Sequence, residues 1–257
     1  MVCSTSTGTT PGSQWTFGYH DAPVGDPPLH TLSEHRFLAS ESAEEVSALL
    51  LEPADARCLL VFGHGAGAGM RHSFMEAAVE RLADRGIASF RYQFPYMEKG
   101  SRRPDYRPIL LKTVRSAVDA ARGVSHGLPL FAGGKSMGGR MTSMALSGGP
   151  PDAVKGVVFF GFPLHPAGKP GVERADHLSD LSTSMLFLQG TRDKLAPLDL
   201  LLPVCEGLGQ RATLHIVEGA DHGFHVLKRS GRTDDEVLEE LADTTRAWTN
   251  TVIKSEN

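Results

Sequence analysis

Seven short apolar runs recur along this chain, and the stretches between them carry helical spacing. The runs are Val46–Pro53, Cys58–Gly65, Ile87–Pro95, Leu128–Gly134, Val154–Pro163, Thr183–Gly190 and Arg211–Gly219. Most are apolar at successive positions rather than alternate ones, so strands made of them must be covered on both faces. Two intervening stretches, His72–Gly86 and Pro108–Gly123, repeat apolar residues at helical intervals: Phe74, Val79 and Leu82 in one, Leu110, Val114, Ala117 and Ala121 in the other. Strand–helix alternation of this kind is satisfied by a mainly parallel central sheet with helices on both faces. A capping box, Thr233 with Glu236, opens a last helix whose apolar face is Val237, Leu241, Trp248 and Val252.

No repeat or linker divides the 257 residues, so residues 34–257 read as one α/β domain. Residues 1–33, rich in Thr, Gly and Pro, read as a loosely ordered arm. The three cysteines are scattered, which leaves no disulfide framework and no CxxC zinc site. Net charge is -4 with no Lys/Arg run, which argues against a nucleic-acid partner. No apolar run is long enough to span a membrane, and the opening residues lack the pattern of a signal peptide. A cytoplasmic protein is expected.

The run ending at Gly134 leads into Gly134-Lys135-Ser136, which has two readings. A phosphate-binding loop needs a glycine five positions before Gly134 and a flexible stretch between. Pro129 occupies that position, and apolar residues fill the interval. The alternative is Gly134-x-Ser136-x-Gly138, a strand-to-helix turn exposing a nucleophilic serine between small residues. Alone this is a weak signal among 28 glycines, but three partners follow in a fixed order. His64-Gly65-Ala66-Gly67 ends an earlier strand, Asp193 follows a later one, and His222 precedes the last helix. Serine, acid and histidine in that order, with a glycine-rich loop upstream, is the α/β-hydrolase arrangement.

The segments "GHGAGAGMRHSFM", "FRYQFPYMEKG", "GGKSMGGRM", "GFPLHPAGKP", "LFLQGTRDKLA" and "DHGFHVLKRSGRT" together carry a family resemblance. From about Val46 onward, the chain resembles the α/β-hydrolase superfamily near its dienelactone-hydrolase-like branch. More closely, it resembles compact bacterial relatives of the α/β-hydrolase-like subunit of the chromatin NSL complex and of testis-expressed proteins. Dienelactone hydrolases proper carry cysteine at the nucleophile where this chain has Ser136, so their substrate does not carry over. The resemblance implies an α/β-hydrolase fold with little or no lid, since the insertion "FPLHPAGKPGVERADHL" is short. It admits a homo-oligomer.

Ser136 is then expected to attack an acyl carbonyl, His222 to accept and return the proton, and Asp193 to orient His222. Asp199 and Asp221 are the rival acids, His225 and His165 the rival histidines. Backbone N–H groups of Met137 and Ala66, with Gly67 as a further candidate, form the expected oxyanion hole. His64 is expected to organise that loop. Lys135, Arg71, Tyr96, Arg140 and His165 are candidates for the rim of the site; a carboxylate partner is the plainer role for Lys135. No HExxH or paired Cys/His spacing is present and no cofactor is implied. The expected activity is cleavage of a small acyl ester or thioester through an acyl-enzyme. The alternative is a scaffold for protein interaction, as the chromatin-complex relative permits.

Overall fold

The apolar runs pair into one eight-stranded sheet, seen in a computed structural model that describes residues 30–39, 44–147 and 154–255. Its strands are β1 His30–Leu38, β2 Glu45–Pro53, β3 Cys58–Gly63, β4 Ile87–Tyr92, β5 Leu130–Lys135, β6 Val154–Phe160, β7 Ser184–Gly190 and β8 Ala212–Val217. They lie in the order β1-β2-β4-β3-β5-β6-β7-β8. β1 and β2 pair antiparallel, as do β2 and β4, and all remaining neighbours are parallel. The sequence pattern missed β1. It is an edge strand with a mostly exposed surface, in which Phe37 alone is buried, so it has no apolar run. Of the arm expected over residues 1–33, His30–Ser33 begin this strand, and the preceding residues lie outside those described.

Side chains of the central strands alternate between two cores. Leu59, Val61, Phe159 and Phe187 face one, while Leu60, Phe62, Val158, Phe160, Leu186 and Leu188 face the other. Helices α3 (Arg107–Val124), α4 (Met137–Leu146) and α5 (Leu198–Leu208) cover the first. Helices α1 (Ser73–Ala83) and α6 (Asp234–Ser255) cover the second. The short α2 is Pro95–Glu98. The capping box forms at the start of α6: Glu236 N–H donates to Thr233 Oγ1 at 3.2 Å, and Thr233 N–H to Glu236 Oε2 at 2.7 Å. Between β6 and β7 the chain makes a 3-10 segment, Glu173–Asp180, and no separate cap domain. Among the described residues, no helix is long and apolar enough to cross a membrane.

The direction of winding reverses at β3. The chain passes from β3 to β4 on one side and then returns to β5 on the other. Connections leaving the carboxyl ends of β3 and β5 therefore diverge and leave a crevice between them. Gly63 and Gly134 are paired in register at that point.

Candidate active site

Ser136 stands where β5 becomes α4, with φ 51° and ψ -113°. A side chain in this region costs on the order of 1–3 kcal/mol and is held only by rigid surroundings. Those surroundings are glycines. A Cβ on Gly134 would lie 2.4 Å from Gly63 O and 2.6 Å from the backbone of Gly138, and one on Gly138 would lie 2.1 Å from Gly63 O. Strand β3 and the first turn of α4 touch through backbone alone, and that contact thrusts Ser136 outward.

His222, on the loop after β8, reaches this serine. Its Nε2 lies 2.8 Å from Ser136 Oγ, and its Nδ1 lies 2.7 Å from Asp193 Oδ2. Asp193 is buried just beyond β7, where Leu195 N–H donates to Oδ1 at 2.8 Å and Gln189 Nε2 to Oδ2 at 2.5 Å. Burial pushes the Asp193 carboxyl up, but the His222 hydrogen bond and charge, with the Leu195 and Gln189 donors, outweigh it and hold the group below its ordinary value. The sequence reading did not single out Gln189. Its amide oxygen accepts Phe162 N–H at 3.1 Å, which turns the amide nitrogen toward Asp193. A lone polar residue inside the apolar run "SMLFLQG" was the available signal.

The rival groups are engaged elsewhere. Asp199 is exposed in the first turn of α5. Asp221 Oδ1 accepts the N–H groups of Gly223 and His225, which shapes the loop carrying His222. His225 bonds to Asp234 at 2.8 Å, and buried His165 bonds to Pro166 O at 2.8 Å.

The loop after β3 folds over the serine as a turn closed by Ala68 N–H to Gly65 O, with Gly67 at φ 68°. His64 holds it. Its Nδ1–H donates to Gly65 O at 2.8 Å, and its Nε2 accepts Phe94 N–H at 3.2 Å, which together define a neutral imidazole. Burial, assisted by His72, pushes its pKa down to about 4 against the raising effect of the Gly65 bond. Gly67 N–H is already used, donating to Tyr96 Oη at 3.1 Å. Among the described residues Ala66 N–H has no such partner, and Ala66 lines the cleft. Met137 N–H begins α4 and is one of the donors a helix start leaves open.

The cleft over Ser136 and His222 has a volume of about 320 Å³ and is lined by Gly65, Ala66, Ala68, His72, Phe74, Met75, Lys135, Leu195 and Gly223. Of the rim candidates only Lys135 is among these. Tyr96 and His165 are buried, Arg71 pairs with Glu34 at 2.8 Å, and Arg140 lies in the first turn of α4 within the field of Arg174 and Arg107. Lys135 differs from the carboxylate pairing expected of it. Its Nζ donates to His222 O and lies 5.6 and 5.2 Å from the ring centroids of Phe74 and Phe224.

Burial lowers the Lys135 pKa to about 8, against the raising influence of Asp193 and Asp221. The unfolded chain keeps that proton to about pH 10.4, so between the two values the unfolded state binds more protons and stability rises with pH. The urea midpoint of the wild type should therefore climb relative to that of Lys135→Met between about pH 8 and pH 10. Parallel curves would show that Lys135 titrates normally.

A largely parallel sheet with a strained serine at the end of β5, an acid beyond β7 and a histidine beyond β8 defines the α/β-hydrolase class. The chain belongs to the alpha/beta hydrolase domain family, whose model matches residues 56–250. Solved structures with this fold include dienelactone hydrolase from Anabaena variabilis, at 20% identity and TM-score 0.67, covering 84% of this chain and 96% of that one. Est1E from Butyrivibrio proteoclasticus matches at 14% identity and TM-score 0.66, covering 86% and 99%. A serine hydrolase without lid from Xanthomonas campestris matches at 17% identity and TM-score 0.64, covering 86% and 96%.

Proposed function

We propose that this protein is a serine hydrolase that cleaves a carboxylic ester or thioester through an acyl-enzyme. The observation that carries this reading is the unbroken line from Ser136 Oγ through His222 to Asp193, with contacts of 2.8 and 2.7 Å. His222 Nε2 takes the hydroxyl proton as Oγ attacks the acyl carbon, and then delivers it to the departing alkoxide or thiolate. Asp193 holds the ring with Nδ1 protonated and balances the imidazolium. The N–H groups of Met137 and Ala66 receive the oxyanion. Water repeats the sequence to release the acid. An open cleft of about 320 Å³ favours a small acyl group.

The test is covalent labelling of the folded protein by a fluorophosphonate probe, followed by a panel of activated esters and thioesters. Neither labelling nor turnover would leave the scaffold role as the better account. Within the hydrolase reading, Tyr96→Phe removes the acceptor that holds Gly67 N–H and loosens the turn carrying Ala66. Its kcat should fall roughly tenfold with KM nearly unchanged, because misplacing an oxyanion donor acts on the transition state. A change confined to KM would put Tyr96 outside this role.

A further inference from the structure

Three arginines gather at the edge of the sheet that carries Ser136. Arg107 opens α3 after β4, Arg140 lies in the first turn of α4 after β5, and Arg174 lies in the 3-10 segment after β6. All three strands are parallel, so these segments leave from the same edge. Ser143 Oγ bonds to His177 Nε2 at 2.8 Å, which sets α4 against the 3-10 segment. Arg140 precedes Ser143 by three residues and Arg174 precedes His177 by three, so each shares the face of its bonded neighbour. Arg115 Nε donates to Ala145 O at 3.0 Å, which ties α3 to α4. Both helices return from parallel strands and run the same way. Arg107, about two turns before Arg115, thus lies level with the first turn of α4.

Among the described residues, none of these three side chains has an ion pair or a hydrogen bond, and Arg140 Nε is enclosed without a partner. Burial, then the charges of Arg174 and Arg107, lower the Arg140 pKa to about 10. Burial, then the charge of Arg140, pushes the His177 pKa down to about 4, and among the described residues Asp176 and Asp180 bond to none of the arginines. Arg140 and Arg174 are partly buried, and like charges left unpaired there are costly unless an anion joins them.

We propose that Arg107, Arg140 and Arg174 form an anion subsite beside the cleft, shaped for a phosphate monoester group carried by the substrate. The proposal rests on the hydrolase reading for its use in catalysis but not for the binding itself. Three guanidinium forks arriving from three segments suit a tetrahedral dianion, whose oxygens point in separate directions. A planar carboxylate is satisfied by one fork. Arg140 lies four residues, about 6 Å of helical rise, beyond the serine. The subsite therefore shares the carboxyl edge of the sheet with Ser136, although none of the three arginines lines the cleft itself.

Calorimetric titration of the full chain with inorganic phosphate tests this, using acetate as the monoanion control. Wild type should bind phosphate, Arg140→Gln and Arg174→Gln should each weaken it by about tenfold or more, and acetate should bind far more weakly. If a variant fails to fold by circular dichroism, Arg107→Gln, at an exposed helix start, serves in its place. Silence of the wild type toward phosphate, equal binding by the variants, or acetate binding as strongly would each overturn the subsite. Fluorophosphonate labelling of the same samples separates the two ideas. Labelling without phosphate binding removes the subsite and keeps the hydrolase, and the reverse pattern keeps the subsite and removes the hydrolase.

Discussion

Ser136→Ala is expected to abolish fluorophosphonate labelling and to lower ester turnover by roughly four to six orders of magnitude. His222→Ala should do nearly the same, and the double variant should be little worse than either, because nucleophile and base act as one unit. The fold should survive. Among the described residues the Ser136 hydroxyl bonds only to His222, so its loss costs about 1 kcal/mol, and alanine keeps the positive φ that the surrounding backbone imposes. What remains should come from the Met137 and Ala66 donors and from substrate binding alone. Labelling that persists in Ser136→Ala would mean that another residue is the nucleophile, and the role of the His222–Asp193 pair would have to be reassigned.

The second large effect is structural. Gly138→Ala would place a methyl group 2.1 Å from Gly63 O, 2.4 Å from Gly63 C and 2.8 Å from His64 O. All three atoms are backbone, so no side chain can rotate away. Helix α4 must move off β3, at a cost of about 3 kcal/mol or more. The same shift moves His64, and with it the turn over Ser136, so activity should fall together with the urea midpoint. Gly123→Ala is the control. It lies within α3, where a Cβ meets no atom within 4 Å, and should raise stability by roughly 0.5–1 kcal/mol. A Gly138→Ala protein that unfolds at the wild-type midpoint would refute the close contact between β3 and α4.

Where chemistry is local, the sequence was readable. The runs that became β3 to β7 are continuous because both faces of each strand are covered, and that demand is written in neighbouring residues. Gly134, Ser136 and Gly138 mark the turn within five positions, although the backbone that demands the glycines is that of Gly63 on β3, and Thr233 and Glu236 satisfy each other three residues apart. β1 escaped because an edge strand needs no apolar run. Tyr96 and His165 were placed at the rim on their chemistry alone. Their burial depends on which segments pack over them, and periodicity does not report that.

Strand–helix alternation, the covered sheet, the serine turn and the order in which serine, acid and histidine arrive are all written along the chain. Which groups meet is set by the packing of the finished elements. Ser136 and His222 are 86 residues apart, and their contact depends on strand order and on an Asx turn at Asp221. Packing also decided that Gly67 N–H belongs to Tyr96, that Gln189 steadies Asp193, and that Arg140 Nε is enclosed without a partner among the described residues. Backbone preferences act between near neighbours and can be read along the chain. Long-range contacts are set by how finished elements pack, and the same residue types would fit many other pairings.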